Sequence, residues 1–220
     1  MTEIVPTERM SALRRVLDMD YALENEPTSK YQASVARWLP GQLPGHDMQN
    51  VGWGLLLIAV AATPKPERGS SNAAVKAGMR TIMLNAGMVG KALTDSASPG
   101  PAPELSPDVG WNLTDLRPML AKLVQQTAAD FPPGPDIAEA TRDTLDVLHD
   151  LFPDADVSGT GWAALGTGMV LAKEVQQTHS AITRGHMRRR TRQQREQWGN
   201  GAMFAAIILS RMGDSLISQS

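Results

Sequence analysis

Apolar residues recur at helical spacing along almost the whole chain, and no stretch keeps a convincing alternation of apolar and polar residues. The first pattern is typical of amphipathic helices and the second of half-buried strands. The run Ile137, Thr141, Leu145, Leu148 and Phe152 is one example of the helical spacing. We therefore predict an all-α fold, a helical bundle of seven or eight helices.

A proline-rich segment divides the chain near its middle. The sequence DSASPGPAPELSPDVG, residues 95–110, holds four prolines and almost no bulky apolar side chain. Such a composition is typical of a linker. We predict an N-terminal helical half over 1–95, a Pro-rich linker over 96–111 and a C-terminal helical half over 112–220. The alternative is one single compact domain, which is within the size range for 220 residues.

The order of predicted elements is similar on the two sides of this linker. Each side has an amphipathic helix, a Pro-containing turn, a second helix, a loop, and a Gly-Trp pair at the start of an uncharged helix. The pairs are Gly52-Trp53 and Gly161-Trp162. The spacing from the preceding proline differs, because Pro40 lies 13 residues before Trp53 and Pro153 lies 9 before Trp162. Two similar halves sharing one core, or an accidental likeness, are both compatible with this pattern.

Caps, prolines and glycines set the predicted helix limits. Asp47 is a favourable N-cap for an apolar helix that runs to Ala62. We expect one continuous helix to end near Thr94, although Ala74, Gly78 and Leu84 within it fit a helix-turn-helix template loosely. Other predicted limits are a helix end at Leu39-Pro40, helix starts at Thr114 or Asp115 and near Gly161, and a last helix after Gly199-Asn200-Gly201.

Composition excludes several classes of chemistry. The chain has no cysteine, so disulfides, thiolate catalysis and Cys-ligated metal sites are excluded. Its start, MTEIVPTERM, has no basic segment followed by an apolar run, so we expect no secretory signal and a cytoplasmic location. The longest uncharged stretch, 48–64, is shorter than the roughly 20 apolar residues that span a membrane. Fifteen arginines against six lysines and 27 alanines are typical of a GC-rich bacterial or phage genome.

Basic charge concentrates in RGHMRRRTRQQREQW, residues 184–198, where six arginines fall within twelve residues of a chain with net charge −2. On one helix, four of them would share a face and a fifth would border it. Arginine binds both carboxylates and phosphates through its forked donors. We predict a surface for a protein partner or for nucleic acid, formed by Arg184, Arg188, Arg189, Arg192 and Arg195. The segment has too little apolar surface for membrane binding.

Acidic charge concentrates in the segment 130–156, which has eight carboxylates and one basic residue. Four of these recur at helical spacing on the side away from the apolar stripe: Glu139, Asp143, Asp146 and Asp150. This predicted acidic partner face matches the arginine stretch in length and is opposite in sign. The two could pair within one chain or between chains.

Enzyme chemistry has weaker support. Asp143, Asp146 and His149 recur every three residues, a spacing that would suit Mg²⁺ or Mn²⁺, but we favour solvated surface residues. Gly159, Gly161 and Ala164 fit a dinucleotide fingerprint formally, yet no strand precedes them, so we expect no cofactor. We interpret Gly161, Gly166 and Gly168 as points of close helix packing. No catalytic residue is assigned.

These patterns favour a non-enzymatic interaction or assembly protein that uses complementary charged helix faces. The expected partner is a protein or a second copy of the chain, with no membrane. The alternative is a nucleic-acid-associated protein that contacts phosphates through the stretch from Arg184 to Arg195. The acidic net charge argues against a dedicated nucleic-acid binder. A carboxylate-dependent metal enzyme is the third hypothesis.

Overall fold

The computed structural model describes residues 32–64, 72–95, 112–127, 137–151, 155–178 and 191–220. Within these ranges the chain forms seven α-helices and no strand, which confirms the prediction of an all-α bundle. The predicted linker 96–111 and the first 31 residues lie outside them. The helices are α1 (Gln32–Gln42), α2 (Met48–Ala62), α3 (Ala73–Asp95), α4 (Leu113–Thr127), α5 (Ile137–Leu151), α6 (Val157–Thr178) and α7 (Arg192–Ile217).

Four helices form the centre of the bundle. Helix α2 packs antiparallel on α3, and α6 packs antiparallel on α7, since the start of each first helix meets the end of the second. Helices α2 and α3 form one hairpin, and α6 and α7 form the other. The two hairpins contact each other where α3 packs on α7 and where α2 packs on α6. Helix α1 lies against α3 and α6, α5 against α7 and α2, and α4 against α6 and α7. One hydrophobic core therefore includes residues from both sides of the segment 96–111.

The buried faces follow from the apolar spacing. Helix α4 is amphipathic, and its buried residues recur every three or four positions: Leu113, Leu116, Leu120 and Leu123. Helix α2 is apolar on nearly all sides, and the eight residues from Val51 to Ala59 other than Trp53 are buried. Burying a leucine or isoleucine side chain fully contributes about 1.5–3 kcal/mol. These helices are therefore stabilised mainly by the core and not by intrinsic helix propensity.

Glycines set the closest helix contacts. A Cβ atom added to Gly52 would lie 2.6 Å from the carbonyl oxygen of Gly90, and one added to Gly213 would lie 2.4 Å from the backbone nitrogen of Leu165. A Cβ on Gly168 would lie 2.7 Å from the carbonyl oxygen of Ala206. Backbones at this separation leave no room for a side chain. The interpretation of Gly161, Gly166 and Gly168 as packing positions agrees with these contacts.

One predicted helix end is wrong because Pro40 lies inside a helix, and the helix predicted to start at Thr114 or Asp115 starts at Leu113. Helix α1 continues past Pro40 to Gln42, and α4 begins at Leu113, so that Pro118 is its sixth residue. Burial explains the second case, because Leu113 is 6% exposed and extends the apolar face of α4 by one position. Each proline removes one backbone hydrogen bond. Pro118 lies on the exposed side of its helix, where water can bind the carbonyl oxygen that loses its partner.

The two C-terminal helices begin earlier than predicted. Helix α6 starts at Val157 and not near Gly161, and α7 starts at Arg192 and not after Gly201. Thr191 caps α7 with a capping box, in which its hydroxyl accepts the Gln194 N–H and the Gln194 side chain accepts the Thr191 N–H. Glycine inside a helix costs about 1 kcal/mol, and close packing at Gly201 offsets that cost.

Helix α3 is continuous, as predicted, and contains no helix-turn-helix. Gly78 lies inside it at the contact with α7, where an added Cβ would be 2.0 Å from the carbonyl oxygen of Trp198. Asn85 is buried and its amide donates to the carbonyl oxygen of Thr81, 2.7 Å away. A side chain in that position is not available to read a DNA groove. No helix in the described ranges has the length and apolar character needed to cross a bilayer.

Candidate charged association surfaces

Helix α5 presents the acidic face, which we define as Glu139, Asp143 and Asp146. All three side chains are exposed. Asp150 was predicted to belong to the same face, but its side chain lies outside the described part of the structure. The carboxylates are three or four residues apart, so they lie along one side of the helix. Glu139 is in the first turn, where the helix dipole favours a negative charge.

The opposite side of α5 holds this helix on the bundle. Thr141 and Leu148 are 0% and 1% exposed, and Thr144 is also buried. Leu145 is half-buried and packs against the core. Helix α5 contacts α7 and α2. The predicted inner stripe is therefore correct at Thr141, Leu145 and Leu148, and this packing directs the acidic face to solvent.

The start of α7 presents the basic end, which we define as Arg192 and Arg195. Arg184, Arg188 and Arg189 lie outside the described residues. Thr191 is extended, with φ −64° and ψ 163°. One uninterrupted helix therefore does not run from Arg184 to Arg195, and the predicted single stripe of arginines is interrupted at Thr191. The cause is the capping box, which fixes the first turn of α7 at Arg192.

The arginines of the basic end lie where their own helix disfavours them. The N-terminus of a helix carries partial positive charge, so a cation there costs about 0.3–1 kcal/mol. The first turn of α7 contains no acidic residue. Glu196 offsets part of the cost, since it accepts from Arg192 Nε at 2.9 Å in an exposed pair of the i,i+4 type. Such a pair contributes only about 0.3–0.5 kcal/mol. Positive charge therefore remains available to an anion at this end of α7.

Among the described residues, no ion pair joins Asp143 or Asp146 of the acidic face to the two arginines of the basic end. Arg192 forms its ion pair with Glu196 of its own helix. Within the ranges that the structure describes, Asp143, Asp146 and Arg195 form no ion pair. The carboxylates of Asp143 and Asp146 are therefore available to a partner.

Neither a metal site nor a dinucleotide site has geometric support. Asp143, Asp146 and His149 are all exposed on α5, and among the described side chains no three of His, Asp or Glu are placed to hold a metal ion. The fingerprint glycines Gly159 and Gly161 lie inside α6. The backbone N–H of Gly159 donates to Asp156 Oδ1 at 2.7 Å, so it is not free to bind a phosphate.

One charged contact was missed from the sequence. Asp156 accepts from the Gly159 N–H and thereby caps α6, while its other oxygen, Oδ2, lies 2.7 Å from His46 Nδ1. The pair joins the loop before α2 to the start of α6, and both side chains are mostly buried. The sequence signal was present, because Asp47 and Asp156 each stand five residues before a Gly-Trp pair. The long-range partner, His46, had no local signal.

Asp156→Ala is expected to lower the free energy of unfolding by about 1–2 kcal/mol, because it removes an N-cap and the contact with His46 together. His46→Ala removes only the contact and is expected to cost less. Urea unfolding of the two variants and of the double variant measures both effects. Equal losses in the two single variants would contradict the capping role.

A second ion pair fixes α4 to the end of α7. Arg117 Nε donates to Asp214 Oδ1, and Arg117 Nη2 donates to Ser218 Oγ at 2.9 Å. Both charged side chains are at least a third exposed, so this pair contributes to position more than to stability.

Comparison with known proteins adds no assignment. The functional interpretation therefore depends on the charged surfaces described above. The chain matches no family model, no curated protein and no solved structure.

Proposed function

We propose that this protein is a non-enzymatic assembly protein, in which the acidic face of one copy binds the basic end of another. The observation that supports the proposal is that Asp143, Asp146 and Arg192 are exposed on one molecule, Arg195 is half-buried beside Arg192, and, among these described residues, no ion pair joins either aspartate to either arginine. Two copies can make this contact twice about a two-fold axis, as an isologous dimer, or once per pair, as a heterologous contact that generates rings or open chains of subunits.

The placement of the charges supports binding to an external anion. Arg192 and Arg195 stand at the positive end of α7, against the preference of that helix. The upstream arginines of the sequence add to the same basic segment. Carboxylates at helical spacing on α5 match the forked donors of arginine.

Exposed ion pairs set the strength of this association. Each contributes about 0.2–1 kcal/mol, so several pairs give a weak and reversible contact. The contribution falls with salt, because the Debye length decreases from about 10 Å at 0.1 M to about 3 Å at 1 M. We therefore expect an oligomer at low ionic strength that dissociates at high ionic strength.

Charge reversal with rescue tests the proposal. Asp143→Lys with Asp146→Lys, or Arg192→Glu with Arg195→Glu, is expected to abolish self-association at low salt, because each change converts attraction into repulsion. The variant carrying all four changes is expected to restore it, since the signs again match. Size-exclusion chromatography with light scattering measures the mass, and Arg211→Glu, an exposed arginine near the other end of α7, is the control.

Two outcomes would contradict self-association. One is a wild-type monomer at low salt. The other is an oligomer that the four-residue variant fails to restore although it stays folded. Co-elution of nucleic acid, seen as a raised 260/280 absorbance ratio that falls in high salt and in the Arg192→Glu, Arg195→Glu variant, would instead support the phosphate-binding alternative.

A further inference from the structure

Helices α3 and α7 cross at Gly78 and Gly201, and each glycine makes the same closest contact with the other helix. A Cβ on Gly78 would lie 2.0 Å from the carbonyl oxygen of Trp198, which is three residues before Gly201. A Cβ on Gly201 would lie 2.0 Å from the carbonyl oxygen of Val75, which is three residues before Gly78. Exchanging the two helices leaves this closest contact unchanged. An isologous contact about a two-fold axis has this property.

The same exchange relates the two hairpins. Gly90 follows Gly78 by 12 positions, and Gly213 follows Gly201 by 12. A Cβ on Gly52 would lie 2.6 Å from the Gly90 carbonyl oxygen, and a Cβ on Gly161 would lie 2.9 Å from the Gly213 carbonyl oxygen. Gly52 and Gly161 are the glycines of the two Gly-Trp pairs. Each hairpin is therefore closed by a glycine pair at equivalent positions.

The flanking elements repeat as well. Asp47 caps α2 and Asp156 caps α6, and each stands five residues before the hairpin glycine. Helix α1 packs on α3 as α5 packs on α7, and α1 contacts α6 as α5 contacts α2. Buried Val35 and Leu148 each stand five residues before a proline of the sequence. Every one of these contacts maps onto its counterpart under the exchange.

We infer that α1–α3 and α5–α7 are two copies of one helical unit, and that the surface each presents to the other is a dimerisation surface. Its partner is a second copy of the same unit, which this chain carries within itself. The inference is independent of the charged association proposed above. The continuous backbone between the halves is then not needed to hold them together.

The exposed positions have diverged while the crossing positions are retained. Counting from Pro40 and Pro153, the residues that correspond to Asp143 and Asp146 are Lys30 and Ala33. Asp143 and Asp146 therefore have no acidic counterparts in the first unit, whereas Glu139 corresponds to Glu26. His46 likewise has Ala155 at its equivalent position before α6. Divergence outside the crossing is expected if the crossing alone maintains the pairing of the units.

Cleavage between the units tests the inference in the full chain. A flexible insert of about 20 residues, carrying a recognition sequence for a site-specific protease, is placed between Pro101 and Ala102, since long loop insertions cost little stability. After cleavage of the folded protein, the two fragments are expected to co-elute at the mass of the whole chain. The measurement is made at high salt, where charged association is suppressed.

Substitutions at the crossing give the matched comparison. In the cleaved protein, Gly78→Ala and Gly201→Ala are each expected to raise the dissociation constant of the fragments roughly 10- to 100-fold, and by the same factor within about 3-fold, because the added Cβ atoms meet carbonyl oxygens related by the two-fold axis. Gly41→Ala is the control, since an added Cβ there has no atom within 4 Å.

Two results would overturn the inference. Fragments of the cleaved wild-type protein that separate at high salt would exclude a dimerisation surface, and this arm requires no substitution. Effects of Gly78→Ala and Gly201→Ala that differ by more than about 10-fold would exclude a two-fold contact. Absence of an oligomer at low salt would contradict the proposed assembly function and would leave the pairing of the two units unaffected.

Discussion

Gly213→Val is expected to lower the free energy of unfolding by about 3 kcal/mol or more. A Cβ at Gly213 would lie 2.4 Å from the backbone nitrogen of Leu165 and 2.5 Å from the carbonyl oxygen of Gly161. Backbone atoms cannot relieve such contacts by a rotamer change, so α6 and α7 must separate. The better helix propensity of valine returns only about 0.5 kcal/mol. Overpacking of a core costs about 1–3 kcal/mol or more, and two branched methyl groups add to the cost.

Thermal unfolding measures this loss. About 3 kcal/mol corresponds to a decrease in Tm of roughly 6–12 °C for a chain of this size. Gly41→Ala is the control, because it adds a methyl group in open space inside α1. We expect its Tm to be unchanged or slightly higher than that of the wild type. A Gly213→Val protein with wild-type Tm would show that α6 and α7 do not approach as closely as described.

Leu148→Ala is expected to cost about 2–5 kcal/mol and to weaken the low-salt association as well. Leu148 is 1% exposed on the side of α5 that packs on the bundle. Its truncation removes buried methyl groups and leaves a cavity under the helix. The acidic face depends on this packing for its position, although no charge is altered. Urea unfolding and the mass at low salt measure the two effects.

Leu145→Ala is the matched control on the same helix. Leu145 is half-buried, so its truncation is expected to cost about half as much or less. The two variants have the same composition and remove the same atoms. Equal losses of stability in both would contradict the orientation of α5. If the Leu148→Ala protein is destabilised but folded and still has the wild-type mass at low salt, the position of the acidic face does not depend on the packing of α5.

The helix class and several helix limits were predictable because they depend on local chemistry. Asp47 caps α2, and that helix ends at Ala62 as predicted. Local propensity predicts helix limits at Pro40 and Gly201, but both residues lie inside helices. Burial and close packing overrode propensity at these positions. Those effects depend on residues far apart in sequence, which local patterns do not specify.

The charged surfaces were predictable only in part. Spacing along one helix correctly placed Asp143 and Asp146 on the exposed side of α5. The predicted single stripe of arginines is wrong at Thr191, because the four-residue capping box from Thr191 to Gln194 begins a new helix there. The contact of His46 with Asp156 spans 110 positions, and no single-sequence pattern links such residues.

The contact between α2 and α6 makes two positions depend on each other in evolution. A Cβ on Gly54 would lie 2.2 Å from Thr160 Oγ1 and 2.7 Å from Thr160 Cγ2, so any side chain at 54 is blocked while threonine stands at 160. Loss of the Thr160 side chain would have to come first. The accessible mutational path is therefore ordered, and in relatives of this chain the sizes of the residues at these two positions should vary inversely.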